Sequence, residues 1–188
     1  MNLQNKTVLF LGSSVTYGSA ADGVSFADIM GEVCGINYIK EAISGTTLAD
    51  IDNSSYVARL KKIDKIVVDL FICQLSTNDA SSRNIELCKT EEAIRFILEY
   101  VKNTFDCPIV FYTGTYFENE KYKKMVNLLY DLHKEYDFYI LDLFNDKEML
   151  AVSKEDYQRY MSDPVHPTIT GYREWWTPKF INFCTQLL

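Results

Sequence analysis

Short apolar runs alternate with amphipathic helical patterns along this sequence, and that alternation restricts the fold more than any other feature. Runs at 8–11, 36–39, 70–73, 108–112 and 138–141 each have the length of a buried strand. Strands joined through helices pair in parallel, because a parallel pair needs a long crossover connection. The alternation therefore predicts an α/β fold in which helices cover both faces of a five-stranded parallel sheet.

The helical patterns carry capping signals as well as apolar faces. Ser25 followed by Asp28 is typical of a capping box, and Gly35 stands where a C-terminal glycine cap belongs. Thr90 is predicted to cap the next long helix, and Pro178 to kink or divide the last one. The predicted buried faces are Phe26, Ile29, Met30 and Val33; Ile94, Ile97, Leu98 and Val101; and Met125, Leu129, Leu132 and Tyr136.

Composition limits the partners and the compartment. With 188 residues, 47% of them hydrophobic, we expect residues 1–188 to form a single domain. A net charge of −7 without a long basic run argues against nucleic acid and anionic membranes as partners. Five cysteines without CxxC spacing predict free thiols. The short apolar segment near the N-terminus does not resemble a signal peptide, and no run reaches membrane-spanning length, so we expect a cytoplasmic protein.

A strand that ends in small polar residues is the first candidate for chemistry. The apolar run 9–11 stops at Gly12, and the hydroxyls of Ser13 and Ser14 follow. Parallel sheets bind ligands beyond the carboxyl ends of their strands, where a serine can act as a nucleophile if a base is close. The segment lacks the Gly-Lys-Ser/Thr ending of a phosphate-binding loop, which makes that interpretation weak.

Two histidines are available as a general base. His133 lies among charged residues of a predicted helix, which favours a solvated surface position. His166 lies in a stiff loop between Pro164 and Pro167, three positions after Asp163. Asp163 can accept a hydrogen bond from the Nδ1–H of His166 and so turn Nε2 toward a nucleophile. The plain alternative is a loop in which Asp163 is a cap and His166 has no function.

Two further strand ends carry candidate hydrogen-bond donors. Asn78 follows the third strand, where its carboxamide can point into the same cleft as Ser14; with Asp79 it can equally form a turn or a helix cap. Gly45 follows the second strand, where its backbone N–H can approach a substrate without a Cβ in the way, although a simple turn also explains it.

Taken in order, these segments resemble the four conserved blocks of the SGNH (GDSL-type) esterases and acylhydrolases. Residues 12–16 are similar to the first block, Gly-Asp-Ser-x-Thr, and residues 43–45 to the second. Residues 76–79 resemble the third block, Gly-x-Asn-Asp, and residues 163–167 the last, Asp-x-x-His-Pro. The resemblance extends from Thr7 to the C-terminus.

The resemblance implies a serine carboxylic-ester hydrolase with a flavodoxin-like three-layer α/β/α sandwich, the SGNH hydrolase fold. Ser14 is then the nucleophile, His166 the base, and Asp163 the acid that orients the base. The backbone N–H groups of Ser14 and Gly45 and the side-chain amide of Asn78 would form the oxyanion hole. No cofactor is implied, and the sequence contains no metal-ligand cluster such as His-x-x-x-His.

Three positions depart from the family pattern. Ser13 replaces the aspartate of the first block, and we expect it to shape the turn by local hydrogen bonds. Ser76 replaces a glycine; if the backbone there has a positive φ, a serine adds strain on the order of 1 kcal/mol and weakens the oxyanion hole. Lys40 stands where an asparagine is common, which predicts a looser second block.

The substrate is predicted only as a class. Compact loops favour small, soluble or carbohydrate esters with acetyl or other short acyl groups. A lysophospholipase or thioesterase of the same fold, or a catalytically silent binding module, are the alternatives, and the sequence does not indicate the oligomeric state. The candidates to line a pocket, for which ordinary packing of loops on the core is an equally good explanation, are Tyr17, Thr115, Tyr116, Phe117, Tyr157, Tyr160 and Met161.

Overall fold

The computed structural model describes residues 3–188, and within them one parallel sheet forms the middle layer. Its strands are β1 (Thr7–Gly12), β2 (Asn37–Ala42), β3 (Leu70–Gln74), β4 (Ile109–Tyr112) and β5 (Tyr139–Leu141). The strand order is β2-β1-β3-β4-β5, and each neighbouring pair runs in parallel. This is the flavodoxin-like order, so the predicted α/β/α architecture is confirmed.

Helices cover both faces of the sheet, as the alternating pattern predicts. The helices are α1 (Ser14–Tyr17), α2 (Phe26–Cys34), α3 (Tyr56–Leu60), α4 (Thr77–Ala80), α5 (Leu87–Thr104), α6 (Glu120–Leu132), α7 (Lys147–Leu150), α8 (Lys154–Tyr160), α9 (Ile169–Gly171) and α10 (Thr177–Leu187), with a π-helical turn at Tyr172–Trp176. On β1, Leu9 and Leu11 pack into the core under α3, α5 and α6, whereas Val8 and Phe10 pack into the core under α2 and α10. Because both faces of β1 are buried, it reads as a continuous apolar run.

The capping prediction holds for α2 and is wrong for α5. Ser25 and Asp28 form the capping box, and Gly35 ends α2 with φ +66°. Helix α5 begins three residues before Thr90, after Glu86. The Thr90 hydroxyl lies inside this helix and donates a hydrogen bond of 3.0 Å to the buried Asp79 carboxylate, so it serves tertiary packing and does not cap.

The predicted apolar faces are buried except at two helix ends. Val33 is 58% exposed, because the last turn of α2 borders an open groove that Leu3 and Ile181 also line. Tyr136 is half-buried beyond the end of α6. The C-terminal helix is divided, as Pro178 predicts: the proline stands at the start of α10 and has no N–H to donate, and a π-helical turn precedes it.

No helix among residues 3–188 is both long and apolar enough to cross a membrane. All five cysteines are free; Cys73 and Cys184 are buried, and Cys88 is exposed.

Candidate active site

Ser14 occupies a tight turn between β1 and α1. Ser14 is 7% exposed and is the first residue of α1, directly after Gly12 and Ser13. A Cβ on Gly12 would lie 1.8 Å from Thr16 Oγ1, so the turn requires glycine at that position. Ser14 therefore lies just beyond the carboxyl end of the central strand β1, where the sequence predicts it.

A buried glutamine, which the sequence analysis missed, holds this turn from the neighbouring strand. Gln74 ends β3, and its Oε1 accepts hydrogen bonds from the Ser13 N–H at 2.9 Å and the Thr16 hydroxyl at 2.9 Å. The Tyr112 hydroxyl lies 2.7 Å from the same Thr16 oxygen. Ser13 therefore shapes the turn through β3 and not through the local hydrogen bonds that we expected. The available signal was an amide inside an otherwise apolar strand.

The loop after α8 brings His166 to Ser14 from the far end of the chain. His166 Nε2 lies 2.8 Å from Ser14 Oγ, and its Nδ1 lies 2.7 Å from Asp163 Oδ2. The loop is anchored on both sides: an isolated bridge pairs Met161 with Pro167, and the Ser162 N–H donates to the His166 carbonyl at 2.9 Å. Hydroxyl, imidazole and carboxylate thus form one continuous hydrogen-bonded row.

The Asp163 carboxylate is held in its charged form. Partial desolvation alone would raise its pKa, but hydrogen bonds to the carboxylate outweigh that effect and the pKa lies below its usual value. The donors are the N–H groups of Val165 and His166, at 2.7 and 2.8 Å, and the His166 ring. Asp163 therefore both caps the loop and faces the imidazole, so the two interpretations of this residue are compatible.

The three groups expected to donate hydrogen bonds to an oxyanion follow the carboxyl ends of β1, β2 and β3. The Ser14 N–H belongs to the first helical residue, which has no intrahelical acceptor. Gly45 lies exposed in the loop after β2 with φ +77°, a conformation that favours glycine. Asn78, in the first turn of α4, donates one Nδ2 hydrogen to the Thr46 carbonyl at 2.8 Å, which leaves its second hydrogen for another acceptor.

Ser76 and Lys40 are the two remaining departures from the family pattern. Ser76 has φ −67°, so serine is unstrained there, and its side chain caps α4 by accepting a hydrogen bond from the Asp79 N–H at 3.3 Å. The hydrogen bonds of Lys40 go to residues outside the second block, so a looser second block stays a prediction. The Lys40 ammonium group donates to Asp28 Oδ2 at 2.6 Å and to the Gly23 carbonyl at 2.8 Å, and thereby ties β2 to the loop that follows α1.

Asp79 has a larger role than the turn former that the sequence suggested. Its side chain is fully buried, and its carboxylate accepts hydrogen bonds from the Leu48 N–H at 2.8 Å and the Ala49 N–H at 3.0 Å. These contacts fasten the segment after Gly45 to the start of α4. A buried carboxylate is stable only when hydrogen-bond donors compensate its lost hydration. For Asp79 these donors belong to the loop after β2, so its burial fixes that loop.

An open cleft of about 460 Å³ lies beside the His166 loop. Pro164 and the segment that follows β4 both form part of its wall. Four of the residues expected to line a pocket do so: Thr115, Tyr116, Phe117 and Tyr157. Tyr160 instead stacks on Trp175, Met161 is buried, and Tyr17 is exposed at the end of α1. Trp175, which the sequence analysis did not select, lines the cleft.

The second histidine lies away from the site. His133 is exposed at the end of α6, with its ring edge-on to Phe138 at 5.4 Å. Among residues 3–188, no group of three or more His, Cys, Asp or Glu side chains is arranged to hold a metal ion.

Comparison with known families gives one match that spans most of the chain. Residues 10–174 match the model of the GDSL-like lipase/acylhydrolase family. This range includes the Ser14 turn, Gly45, Asn78 and the His166 loop. No curated protein sequence matches the chain at a significant level.

Solved structures share the fold at low sequence identity. A member of the lipolytic G-D-S-L family from Veillonella parvula aligns with a TM-score of 0.76 and 13% identity over 96% of this chain and 99% of that one. AlinE4, described as an SGNH-hydrolase family esterase, aligns with a TM-score of 0.63 and 19% identity over 98% of both chains. A family two carbohydrate esterase from Clostridium thermocellum, in complex with cellohexaose, aligns at 0.66 and 16% identity over 98% of this chain and 66% of that one.

Proposed function

This chain belongs to the GDSL-like lipase/acylhydrolase family, and we propose that it is a serine esterase that uses Ser14, His166 and Asp163 as a catalytic triad. The observation that carries the proposal is the row from Ser14 Oγ through the two ring nitrogens of His166 to Asp163 Oδ2, with separations of 2.8 and 2.7 Å. These distances suit proton transfer from the hydroxyl to a base whose tautomer an acid has fixed.

In the proposed reaction, Ser14 Oγ attacks the carbonyl carbon of an ester while its proton moves to His166 Nε2. Asp163 stabilises the imidazolium that forms. The carbonyl oxygen becomes an oxyanion, which the N–H groups of Ser14 and Gly45 and the Asn78 amide stabilise. When the intermediate collapses, the carbon–oxygen bond to the alcohol breaks, and the leaving alkoxide takes the proton from His166.

Hydrolysis of the acyl-enzyme repeats these steps with water. His166 removes a proton from water, the resulting hydroxide attacks the acyl carbon, and the same donors hold the oxyanion. Ser14 Oγ then leaves and recovers its proton from His166, and the carboxylic acid is released. Every proton in the cycle passes through Nε2, so the orientation of one ring controls both halves of the reaction.

We propose an acetyl or other short acyl group on a small or carbohydrate ester as the substrate class. The cleft beside Pro164 is lined largely by apolar and aromatic side chains, among them Trp175 and Tyr157, which suit one face of a sugar ring or a short apolar group. A carbohydrate esterase among the structures with this fold agrees with that class. The polar groups Glu118 and Lys154, which also line the cleft, are suited to hydrogen-bond a hydroxylated alcohol.

The test is labelling and hydrolysis with a matched pair of serine variants. We expect a fluorophosphonate probe to label the wild type, with peptide mapping assigning the adduct to Ser14. Ser14→Ala should lose both the label and the hydrolysis of p-nitrophenyl acetate, whereas Ser153→Ala, which removes an exposed helix cap, should retain both. Full hydrolysis by Ser14→Ala would refute the triad, and an unlabelled, inactive wild type would favour a silent binding module.

A panel of substrates then separates the enzymatic alternatives. We expect acetylated sugars and acetyl esters to be hydrolysed faster than esters of chains of eight or more carbons. A preference for long-chain esters or lysophospholipids, or for acyl thioesters, would favour the lysophospholipase or thioesterase alternative.

A further inference from the structure

A buried cation contacts the segments next to Ser14 and Gly45. Arg59 lies on α3, and its side chain is 5% exposed. Its Nε donates to the Ser54 carbonyl at 2.9 Å, and its Nη1 donates to the carbonyl and the carboxylate of Glu41 at 2.8 and 3.0 Å. A buried guanidinium is costly unless its donors are all used. These contacts compensate much of that cost.

The remaining donor of Arg59 joins the two segments that carry backbone N–H groups of the oxyanion hole. Its Nη2 donates to the Gly12 carbonyl at 2.8 Å and to the Thr46 hydroxyl at 3.2 Å. Gly12 lies two residues before Ser14, and Thr46 directly follows Gly45. One rigid, planar group therefore contacts both sides of the site.

Gly45 depends on such support, since its own surroundings are open. Apart from Gly45 and its two chain neighbours, no heavy atom of residues 3–188 lies within 4 Å of the position where its Cβ would stand. Its neighbours are fixed instead: Thr46 by Arg59 and Asn78, and Leu48 by the buried carboxylate of Asp79. Asp79 and Asn78 attach the loop to the β3 side, whereas Arg59 attaches it to the β1 side, where Ser14 lies.

We propose that Arg59 is a positioning residue that sets the spacing between the Ser14 N–H and the Gly45 N–H. This inference rests on the proposed esterase function. Arg59 does not touch the substrate; it acts through the carbonyl of Gly12 and the hydroxyl of Thr46. Misplacement of an oxyanion donor weakens transition-state binding more than substrate binding, because the negative charge on the oxygen develops only in the transition state.

The main test replaces the guanidinium of Arg59, with its several N–H donors, by the single ammonium of a lysine. Arg59→Lys keeps the positive charge, but a single ammonium cannot reproduce the planar contacts to Gly12, Glu41 and Thr46. We expect kcat for an acetyl ester to fall on the order of 10²-fold, with KM within about threefold of the wild type. The matched control is Arg95→Lys. Arg95 lies on α5 and pairs with Glu91 of the same helix and with Glu135 beyond the end of α6, and we expect kcat to be unchanged.

A boronic acid separates positioning from a purely structural role. Phenylboronic acid forms a tetrahedral adduct with a serine and places an oxygen where the oxyanion would lie. Its affinity for Arg59→Lys should fall by about the same factor as kcat/KM, at a temperature where circular dichroism shows the variant to be folded. A folded variant with lower thermal stability but unchanged kcat and unchanged boronate affinity would overturn the proposal.

Thr46→Val provides a second route if Arg59→Lys does not fold. This variant keeps the side-chain shape and removes the hydroxyl that Arg59 contacts, together with the bond of 2.7 Å that this hydroxyl donates to the Ile43 carbonyl in the same loop. We expect a smaller loss of kcat, about threefold to tenfold, with a parallel loss of boronate affinity. Unchanged values for Thr46→Val would overturn the proposal. A wild type without Ser14-dependent hydrolysis would instead refute the proposed function itself, a result that the Ser14→Ala comparison makes distinct.

Discussion

Asp163→Asn changes the proposed triad by one atom and almost no volume. Two of the hydrogen bonds that Asp163 accepts, from the N–H groups of Val165 and His166, go to Oδ1. An asparagine oxygen at this position can accept both, so the loop should keep its conformation. The amide nitrogen then takes the place of Oδ2, 2.7 Å from His166 Nδ1. A donor now faces a ring nitrogen that was itself a donor.

The consequence is an exchange of the His166 tautomer. Nδ1 must accept a hydrogen bond from the new amide, so the ring proton moves to Nε2, 2.8 Å from Ser14 Oγ. A protonated Nε2 cannot take the serine proton, and the charged partner of the imidazolium is also lost. We expect kcat to fall about 10⁴-fold, as removal of this acid does in other serine hydrolases, which corresponds to roughly 5 kcal/mol of transition-state stabilisation.

Kinetics and NMR together test this reasoning. The kcat for an acetyl ester gives the size of the effect, and long-range ¹H–¹⁵N spectra report which ring nitrogen of His166 carries the proton. His133, exposed on α6, is the internal reference. The matched control is Asp69→Asn, at the opposite end of the sheet, which should change neither result. A kcat within tenfold of the wild type, or an unchanged His166 tautomer, would show that Asp163 does not control the base.

Two further predictions concern Asn78 and Asp69. Asn78→Ala removes the Nδ2 bond to the Thr46 carbonyl and a proposed oxyanion donor, so kcat should fall about 10²–10³-fold; an unchanged kcat would reduce Asn78 to a turn residue. The Thr7 N–H and the Lys6 ammonium hold the pKa of Asp69 below its usual value. Asp69→Asn should therefore lower Tm at pH 7, and the difference should disappear as the pH falls through this lowered pKa; a Tm difference that stays constant from pH 7 to 2 would contradict it.

The sequence predicted those elements whose signal lies within a few consecutive residues. The strands at 8–11 and 70–73 lie in the middle of the sheet, so both of their faces are apolar and the run itself is the signal. Ser25 and Gly35 were predictable for a different reason: their caps are local, and each satisfies backbone groups within four residues. Thr90 looked the same in sequence but has a tertiary partner in Asp79, which no local pattern reveals.

Sheet topology and the family resemblance together predicted that the proposed triad residues meet, but they did not predict the side chains that hold the site in place. The Ser14 turn is at the carboxyl end of β1, and the resemblance to known blocks indicated the His166 loop as its partner. The side chains that hold these pieces in place are Gln74, Arg59 and Asp79. Each binds backbone groups far away in sequence, so its partner is fixed only when the sheet and helices have assembled.

These three residues nevertheless share a property that a sequence can show. Gln74 follows four apolar residues of a central strand, Arg59 lies between Ala58 and Leu60 on a helix, and Asp79 precedes Ala80; all three side chains are buried. Polar groups at core positions destabilise a fold unless they are hydrogen-bonded, so such residues must have buried partners. For Gln74 and Asp79 the partners are backbone N–H groups in the loops after β1 and β2, because loops leave donors and acceptors unpaired where strands and helices do not. Arg59 binds the Gly12 carbonyl at the end of β1 and the Thr46 hydroxyl in the loop after β2. A polar residue in an apolar context next to a strand end therefore indicates which loop the fold must hold rigid, and in this chain those loops carry Ser14 and Gly45.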